Sequence, residues 1–170
     1  MSSSFALVLV ADQSPEFPAA LRYGGRLARV LGARVILARI VEPPDAAPWA
    51  GIADAMRQEI ADAADMLVRR FAAELAADSG VVAEVTVREG EARSVLNHLL
   101  EEDPGIGLIV LAAGSGRDGP GPLVSSLAKG GSFGHRPAAV LVVPDGLGPD
   151  QLATIPWAHG PAAGLDPQGG

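Results

Sequence analysis

The sequence contains no cysteine, and aromatic residues make up only 4% of its 170 residues. The absence of cysteine excludes disulfides, thiolate nucleophiles and cysteine-ligated zinc. The shortage of aromatics means that the core must be built from valine, leucine, isoleucine and alanine. That composition favours helices packed on a buried sheet over an aromatic-rich β-sandwich.

Basic residues are also in the minority, since 13 lysines and arginines stand against 20 acidic residues and the formal net charge is -7. A general nucleic-acid-binding protein needs a basic face that neutralises phosphates, and here the basic residues are scattered along the chain. We therefore expect no nucleic-acid partner.

Long apolar runs are missing as well. The first apolar run, residues 5–11, has no basic segment before it and is too short for a signal peptide or a membrane span. The sequence therefore predicts a cytoplasmic protein that does not contact a membrane.

Short apolar runs alternate with helix-like segments along most of the chain. Strands are predicted at 5–11, 33–41, 81–89, 105–114 and 137–144. Helices are predicted at 15–31, 51–78 and 90–103. This alternation predicts an α/β fold in which a largely parallel, open sheet has right-handed crossovers and carries helices on both faces.

The helix signals also predict boundaries and buried faces. The first helix is expected to have Ser14 as its N-cap and Pro15 at its first position, and to end at Gly32. Its predicted inner face consists of Phe17, Leu21, Leu27, Ala28 and Leu31. The predicted inner face of the long second helix consists of Ile52, Met56, Ile60, Ala64, Leu67, Phe71 and Leu75. The third helix is expected to bury Val95, Leu96, Leu99 and Leu100.

The C-terminal part of the chain differs in composition from the rest. Residues 1–145 are interpreted as one α/β domain, and residues 146–170 as a tail rich in proline and glycine. Because the tail shows no sustained hydrophobic period, it is expected to be irregular. Ile155 and Trp157 are its candidates for packing on the domain.

Ligands of open α/β sheets bind outside the carboxyl ends of the strands, so the residues that follow each strand are the candidates. GSGRDG, residues 114–119, matches the literal pattern G-x-G-x-x-G. A dinucleotide fingerprint, however, follows the first strand and runs directly into a helix, whereas here Pro120, Gly121 and Pro122 intervene. A Walker loop is excluded because Lys129 is followed by glycine.

Three stretches match a known family in order. ALVLVADQSPEFPAALRYGGRLARVLGARVILARIVEPP is similar to its first strand, Asp-x-Ser turn, first helix and second strand. VREGEARSVLNHLLEEDPGIGLIVLAAGSGRDG is similar to its third helix, fourth strand and glycine turn, and HRPAAVLVVP to its closing strand. Over about residues 5–143 the chain thus resembles the universal stress protein family. The resemblance implies a Rossmann-like open sheet of five parallel strands in the order 3-2-1-4-5, ATP binding in many members, and a homodimer through the last strand.

The resemblance also implies roles for residues after the first two strands. Asp12 matches the acid that contacts adenine, Ser14 belongs to the same turn, and Val41 matches a residue that packs on the adenine ring. From the residues alone, Asp12 and Ser14 could instead only turn the chain into a helix, and Val41 could simply end a buried strand.

The candidate phosphate-binding residues lie after the fourth strand. The resemblance implies Gly114, Gly116, Ser125 and Ser126, and this sequence adds donors of its own in Ser115 and Arg117. ATP-binding members carry G-x-x-G, nine residues, and then G-[ST]. One register places Ala113, Gly116, Ser126 and Leu127 at these positions, and a shifted register places Gly114, Gly116, Ser125 and Ser126 there. Neither restores the pattern, so ATP binding is expected to be altered, weakened or lost, with Mg²⁺ present only together with nucleotide.

The predicted function is an adenine-nucleotide (ATP)-binding regulatory module of the universal stress type that signals its occupancy to a partner or within its own dimer. Catalysis is expected to be slow or absent, because no positioned base or metal cluster can be recognised in the sequence. The alternative is the non-nucleotide-binding branch of the family, which would act as a dimeric protein-interaction module through the last strand and the tail. An enzyme that hydrolyses nucleotide or transfers hydride is the least favoured interpretation.

Overall fold

One sheet of five strands lies between two layers of helices in the computed structural model, which describes residues 5–43, 50–129, 133 and 135–154. The strands are β1 Ala6–Ala11, β2 Arg34–Val41, β3 Ala83–Glu89, β4 Ile106–Ala113 and β5 Ala139–Pro144. The helices are α1 Phe17–Leu31, α2 Ala50–Ser79, α3 Ala92–Glu102, α4 Pro122–Ala128 and α5 Pro149–Thr154.

The strand order is β3-β2-β1-β4-β5, and every neighbouring pair is parallel. This confirms the predicted α/β class, the Rossmann-like sheet and the order 3-2-1-4-5. The connection after β1 leads to β2 on one side, and the connection after β4 leads to β5 on the other. The carboxyl ends of β1 and β4 therefore adjoin at the point where the strand order reverses, which is where such sheets bind ligands.

Two apolar layers cover the sheet. On one face α1 and α2 pack over Leu7, Leu9 and Leu37, and on the other face α3 and α4 pack over residues such as Val8 and Ile36. All six residues of β1 are at most 7% exposed, because this central strand is covered on both faces. A continuous apolar run without alternation is what such a strand requires.

The first helix begins later than predicted. Its N-cap is Glu16, whose side chain makes no capping bond, so the prediction of Ser14 as N-cap and Pro15 at the first position is wrong by two residues. The reason is the turn before the helix, in which the Ser14 hydroxyl donates to Asp12 and so does not cap the helix. The predicted end is confirmed, since Gly32 forms the C-cap with a φ of 60°.

Helix α1 lies very close to its neighbours because two adjacent glycines face them. A Cβ atom added at Gly24 would lie 2.4 Å from a Leu9 methyl carbon on β1. One added at Gly25 would lie 2.5 Å from Leu75 on α2. At the other end of the same contact, the Phe17 and Phe71 rings are tilted by 59° with centroids 4.7 Å apart.

The predicted inner faces are confirmed in part. Ala64, Phe71 and Leu75 of α2 are buried, as are all four predicted residues of α3. Ile52 and Met56, by contrast, are 54% and 42% exposed, because the buried positions of α2 begin only at Ala64 and its first turns extend beyond the core. Leu31, the last residue of α1, is 50% exposed, so its predicted burial is also wrong.

The segment after β5 is not wholly irregular. Residues 149–154 form α5, and its Leu152 is 1% exposed, so the prediction of an irregular segment is wrong there. Ile155 and Trp157 lie outside the described residues. In the part of the chain that the structure describes, no helix combines the length and the apolar character that a membrane span requires.

Charged groups tie the amino ends of the strands together. Arg34 at the start of β2 donates to Asp103 over 2.6 Å and to Glu84 over 3.0 Å. Arg136 donates to three backbone carbonyls nearby, including that of Ile106 at the start of β4. The Arg34 hydrogen bond holds the pKa of the Asp103 carboxyl below its ordinary value.

We expect Gly24→Val to lower the free energy of unfolding by about 2–3 kcal/mol, because the new side chain would overpack the contact with Leu9. Gly51→Ala is the matched control, since a Cβ atom there meets nothing within 4 Å. The control should be neutral or stabilising by up to about 1 kcal/mol through helix propensity. Urea denaturation of both variants measures this, and equal effects would contradict the close packing of α1.

The Arg34–Asp103 pair should make stability depend on pH. Since the folded pKa of Asp103 is depressed, its contribution is present above the unfolded pKa and is lost as pH falls through the lower folded value. Asp103→Asn keeps an acceptor for the Gly105 amide but loses the charge. It should cost about 1 kcal/mol at pH 7 and nothing once Asp103 is protonated. Urea titrations from pH 7 down to 3 test this, and a cost that does not change with pH would refute it.

Candidate functional site

A cleft of about 510 Å³ opens at the carboxyl ends of β1, β2 and β4. This volume lies within the range of small-molecule sites, roughly 300–1,000 Å³. Its charged lining residues are Asp12, Arg39 and Glu42. Its apolar walls come mainly from Val10, Ile40, Val41, Leu111, Leu123 and Val124. An apolar cleft with a few polar groups is typical of a small-molecule site.

Asp12 is oriented by the turn that follows β1. Its Oδ1 atom accepts hydrogen bonds from the Ser14 amide, 2.9 Å away, and from the Ser14 hydroxyl. No described residue donates to the Oδ2 atom of Asp12. Ser14 itself does not line the cleft. The turn therefore positions a carboxylate that still has one oxygen available as an acceptor.

Arg39 places a cation on the wall of the same cleft. It lies opposite Ala11 in the β1–β2 register, and its Nη1 atom donates to the Ala11 carbonyl over 3.2 Å. Its Nε atom is buried without an acceptor among the described residues. None of the ion pairs in the described part of the chain includes Arg39.

Arg39 was missed by the sequence reasoning, although a signal was available. It interrupts the otherwise apolar carboxyl half of a buried strand, ILARIV, two residues before Val41. A charged residue at that position, directed towards the ligand-binding edge of the sheet, is a candidate for function.

The glycine loop after β4 folds away from the cleft. Residues 113–119 do not line it, and so the predicted residues Gly114, Ser115, Gly116 and Arg117 lie outside. The loop turns on itself through a bond from the Gly119 amide to the Gly116 carbonyl, 3.1 Å long.

A carboxylate from the end of β5 holds this loop. The Ser115 hydroxyl donates to the two oxygens of Asp145 over 2.8 and 2.9 Å, and the Ser115 amide donates over 3.4 Å. The Asp145 amide in turn donates to the carbonyl of Ala113. The Ser115 hydroxyl, followed by nearby backbone amides, depresses the pKa of Asp145, which keeps the carboxylate ionised.

The part of the β4–α4 connection that does line the cleft is Pro120, Gly121 and Pro122. Gly121 adopts a φ of 92° and caps α4. Ser125 and Ser126 lie further along this seven-residue helix and do not line the cleft. The Ser125 amide already donates to the Gly121 carbonyl at 3.0 Å.

The start of α3 is also close to the cleft, which Ala92 lines. The N-cap of this helix is Glu91, whose carboxylate accepts from the amides of Arg93 and Ser94. These bonds lower the pKa of Glu91. The first amides of α3 are therefore satisfied by the chain's own carboxylate.

The structure thus brings two of the sequence-predicted residues, Asp12 and Val41, into one cleft, with Ser14 supporting Asp12 from outside. The six residues after β4 are not brought to it. Over the described ranges, there is no group of three or more His, Asp or Glu side chains that could hold a metal ion.

Comparison with known proteins agrees with the fold. The family model described as universal stress protein family matches residues 6–130. Universal stress protein UspA from Lactobacillus plantarum is similar with 19% identity and a TM-score of 0.68, over 84% of this chain and 99% of that one. A protein of the same family from Burkholderia pseudomallei has 22% identity and a TM-score of 0.55, over 84% and 98% of the two chains.

A third similar structure is that of the universal stress protein from Archaeoglobus fulgidus in complex with dAMP. It has 15% identity and a TM-score of 0.50, over 82% of this chain and 97% of that one. No curated protein sequence matches the chain significantly.

Proposed function

Because the chain belongs to the universal stress protein family, we propose that it is an adenine-nucleotide-binding regulatory module rather than a fast catalyst. The observation that carries the proposal is that Asp12 and Val41, the two residues assigned to adenine by the resemblance, line one cleft at the switch point of the sheet. Binding of dAMP by the similar protein from Archaeoglobus fulgidus is consistent with this choice of ligand.

The cleft offers the two contacts that an adenine ring needs. Adenine carries an exocyclic amino group that donates hydrogen bonds, and the Oδ2 atom of Asp12 is an acceptor without another donor among the described residues. One ring face would lie on the apolar wall that includes Ile40 and Leu111, and Val41 lines the same cleft at the end of β2. Guanine presents a carbonyl oxygen in place of the amino group, so the same carboxylate would repel it.

Ligand occupancy is the proposed signal. The cleft joins the ends of three strands to the start of α4, so a bound ligand would contact both sides of the switch point. Its effect would be passed to a partner protein or to a second copy of the chain. A cytoplasmic location stays a prediction from the sequence.

A homodimer through β5 is part of the proposal. This strand is an edge of the sheet and pairs with β4 on one side only. Val142 on β5 is 38% exposed, and the neighbouring Val140 and Leu141 are half-buried. An apolar edge strand of this kind favours pairing with another chain, and a symmetric dimer would cover it. If no nucleotide binds, dimerisation at this edge supports the non-nucleotide-binding alternative.

Removal of the adenine-recognition carboxylate should weaken binding. Asp12→Ala is expected to reduce adenosine affinity about tenfold, because it removes a hydrogen bond to a charged acceptor. It should also reduce the preference for adenosine over guanosine. Isothermal titration calorimetry measures both effects.

The matched control for Asp12 is Asp118→Ala, which removes an exposed carboxylate of the glycine loop outside the cleft. It should leave adenosine affinity unchanged. The proposed function fails if the native protein binds neither adenosine nor any adenine nucleotide at millimolar concentration. The assignment of Asp12 fails if both variants lose affinity equally.

A charge on the proposed dimer edge should dissociate the dimer. We expect the native protein to have about twice the 17.3 kDa mass of one chain in light scattering, and Val142→Lys to shift it towards one chain mass. Val82→Lys is the control, since Val82 is 85% exposed and precedes the opposite edge strand β3. A native monomer at high concentration would argue against the dimer.

A further inference from the structure

The segment of the β4–α4 connection that lines the cleft has few hydrogen-bond donors. Phosphate-binding loops hold phosphate oxygens with successive backbone amides. Of the three residues of this segment, Pro120 and Pro122 have no amide proton, and only Gly121 can donate. This segment therefore offers one amide, fewer than the successive amides with which phosphate-binding loops hold a triphosphate.

In the glycine loop after β4, the donors of Ser115 are already taken, and carboxylates surround the loop. The Ser115 hydroxyl and amide donate to Asp145, so an anion from the chain itself occupies these donors. On the other side of the loop, a carbon added at Gly114 would lie 2.8 Å from a carboxylate oxygen of Glu16. Asp118, within the loop itself, is a third carboxylate beside Asp145 and Glu16, whereas Arg117 is the one cationic residue of the loop. The loop therefore repels further negative charge.

Arg39 is the only cationic side chain among the described residues that line the cleft, where it lies with Asp12 and Glu42. Two carboxylates and one guanidinium leave the lining with a net negative charge, which disfavours a ligand with several negative charges. None of the described ion pairs includes Arg39, so its guanidinium charge is available to one anionic group, and its planar N–H donors suit phosphate oxygens.

From these observations we infer that the cleft takes an adenine ligand with a single phosphate group, a nucleoside monophosphate, and that Arg39 is the residue that binds this phosphate. The inference rests on the proposed adenine binding and narrows it. The residues present do not fit a triphosphate. In place of the ATP site that the family resemblance implies, the cleft would bind one phosphate group through Arg39 on β2.

The test compares adenosine, AMP and ATP by calorimetry on the full chain at constant ionic strength, with and without Mg²⁺. We expect AMP to bind about tenfold more tightly than adenosine, because its phosphate adds one charge-assisted hydrogen-bond contact with Arg39. ATP should bind no more tightly than AMP. Tighter binding of ATP than of AMP would overturn the inference.

Two arginine variants separate the competing phosphate positions. Arg39→Gln should lower the affinity for AMP to that for adenosine, while the affinity for adenosine stays within about twofold of its value in the native chain. Arg117→Gln, in the glycine loop, should leave the ratio of AMP to adenosine affinity as it is in the native chain. If Arg117→Gln removes the advantage of AMP and Arg39→Gln does not, the phosphate lies in the loop and the inference is wrong.

Further variants control for folding and for bulk charge. Arg29→Gln removes an exposed arginine in the last turn of α1 that does not line the cleft, and should change the affinity for neither AMP nor adenosine. If Arg39→Gln is not folded by circular dichroism, Arg39→Lys keeps the charge without the planar fork and should lower the AMP advantage only in part. If both variants unfold, the relative affinities of the native chain for adenosine, AMP and ATP still decide whether the cleft prefers a single phosphate group.

The outcomes also separate this inference from the function on which it rests. If none of the three ligands binds, the proposed function fails and the inference fails with it. If all three bind through Asp12 but AMP has no advantage over adenosine, the proposed function stands and only the inference is rejected.

Discussion

The burial of β1 on both faces is the constraint on which the rest of the structure depends. Its six residues are at most 7% exposed, so helices must cover the sheet above and below. A parallel sheet achieves this by sending successive crossovers to both faces, and the order then reverses beside β1. The cleft forms at this reversal because the helices on the two faces diverge there. Asp12 lies in it because it is the first residue after β1.

In this fold, the chain's own carboxylates bind donors near the carboxyl edge of the sheet. The donors at the starts of α3 and of the glycine loop are satisfied by Glu91 and Asp145, two carboxylates of the chain itself. In the cleft, the Oδ2 atom of Asp12 has no donor among the described residues, and the guanidinium of Arg39 has no ion-pair partner among them. A fold can retain its ligand-binding position while the chemistry of that position changes, because the backbone needs only the apolar pattern and the site needs particular polar side chains.

Errors in the predictions from the sequence have identifiable physical causes. The start of α1 was misplaced because two prolines, Pro15 and Pro18, both suit a first turn, and a side-chain bond within the preceding turn decided between them. The burial of Ile52 and Met56 was overestimated because helical periodicity shows which face is apolar, but not how far the helix extends beyond the sheet. Helix α5 was missed because six residues are too few to show a period.

The sequence by itself determined the α/β class, the five strands and the position of Asp12 and Val41 after β1 and β2, because each depends on local apolar runs and the turns that end them. The strand order came with the family resemblance. Only the tertiary structure decided that Arg39 joins Asp12 in the cleft and that Asp145 takes the donors of Ser115. Arg39 bonds to Ala11, 28 positions away, and Ser115 to Asp145, 30 positions away. Such pairs meet only when strands are aligned in a sheet, a relation that no local pattern contains.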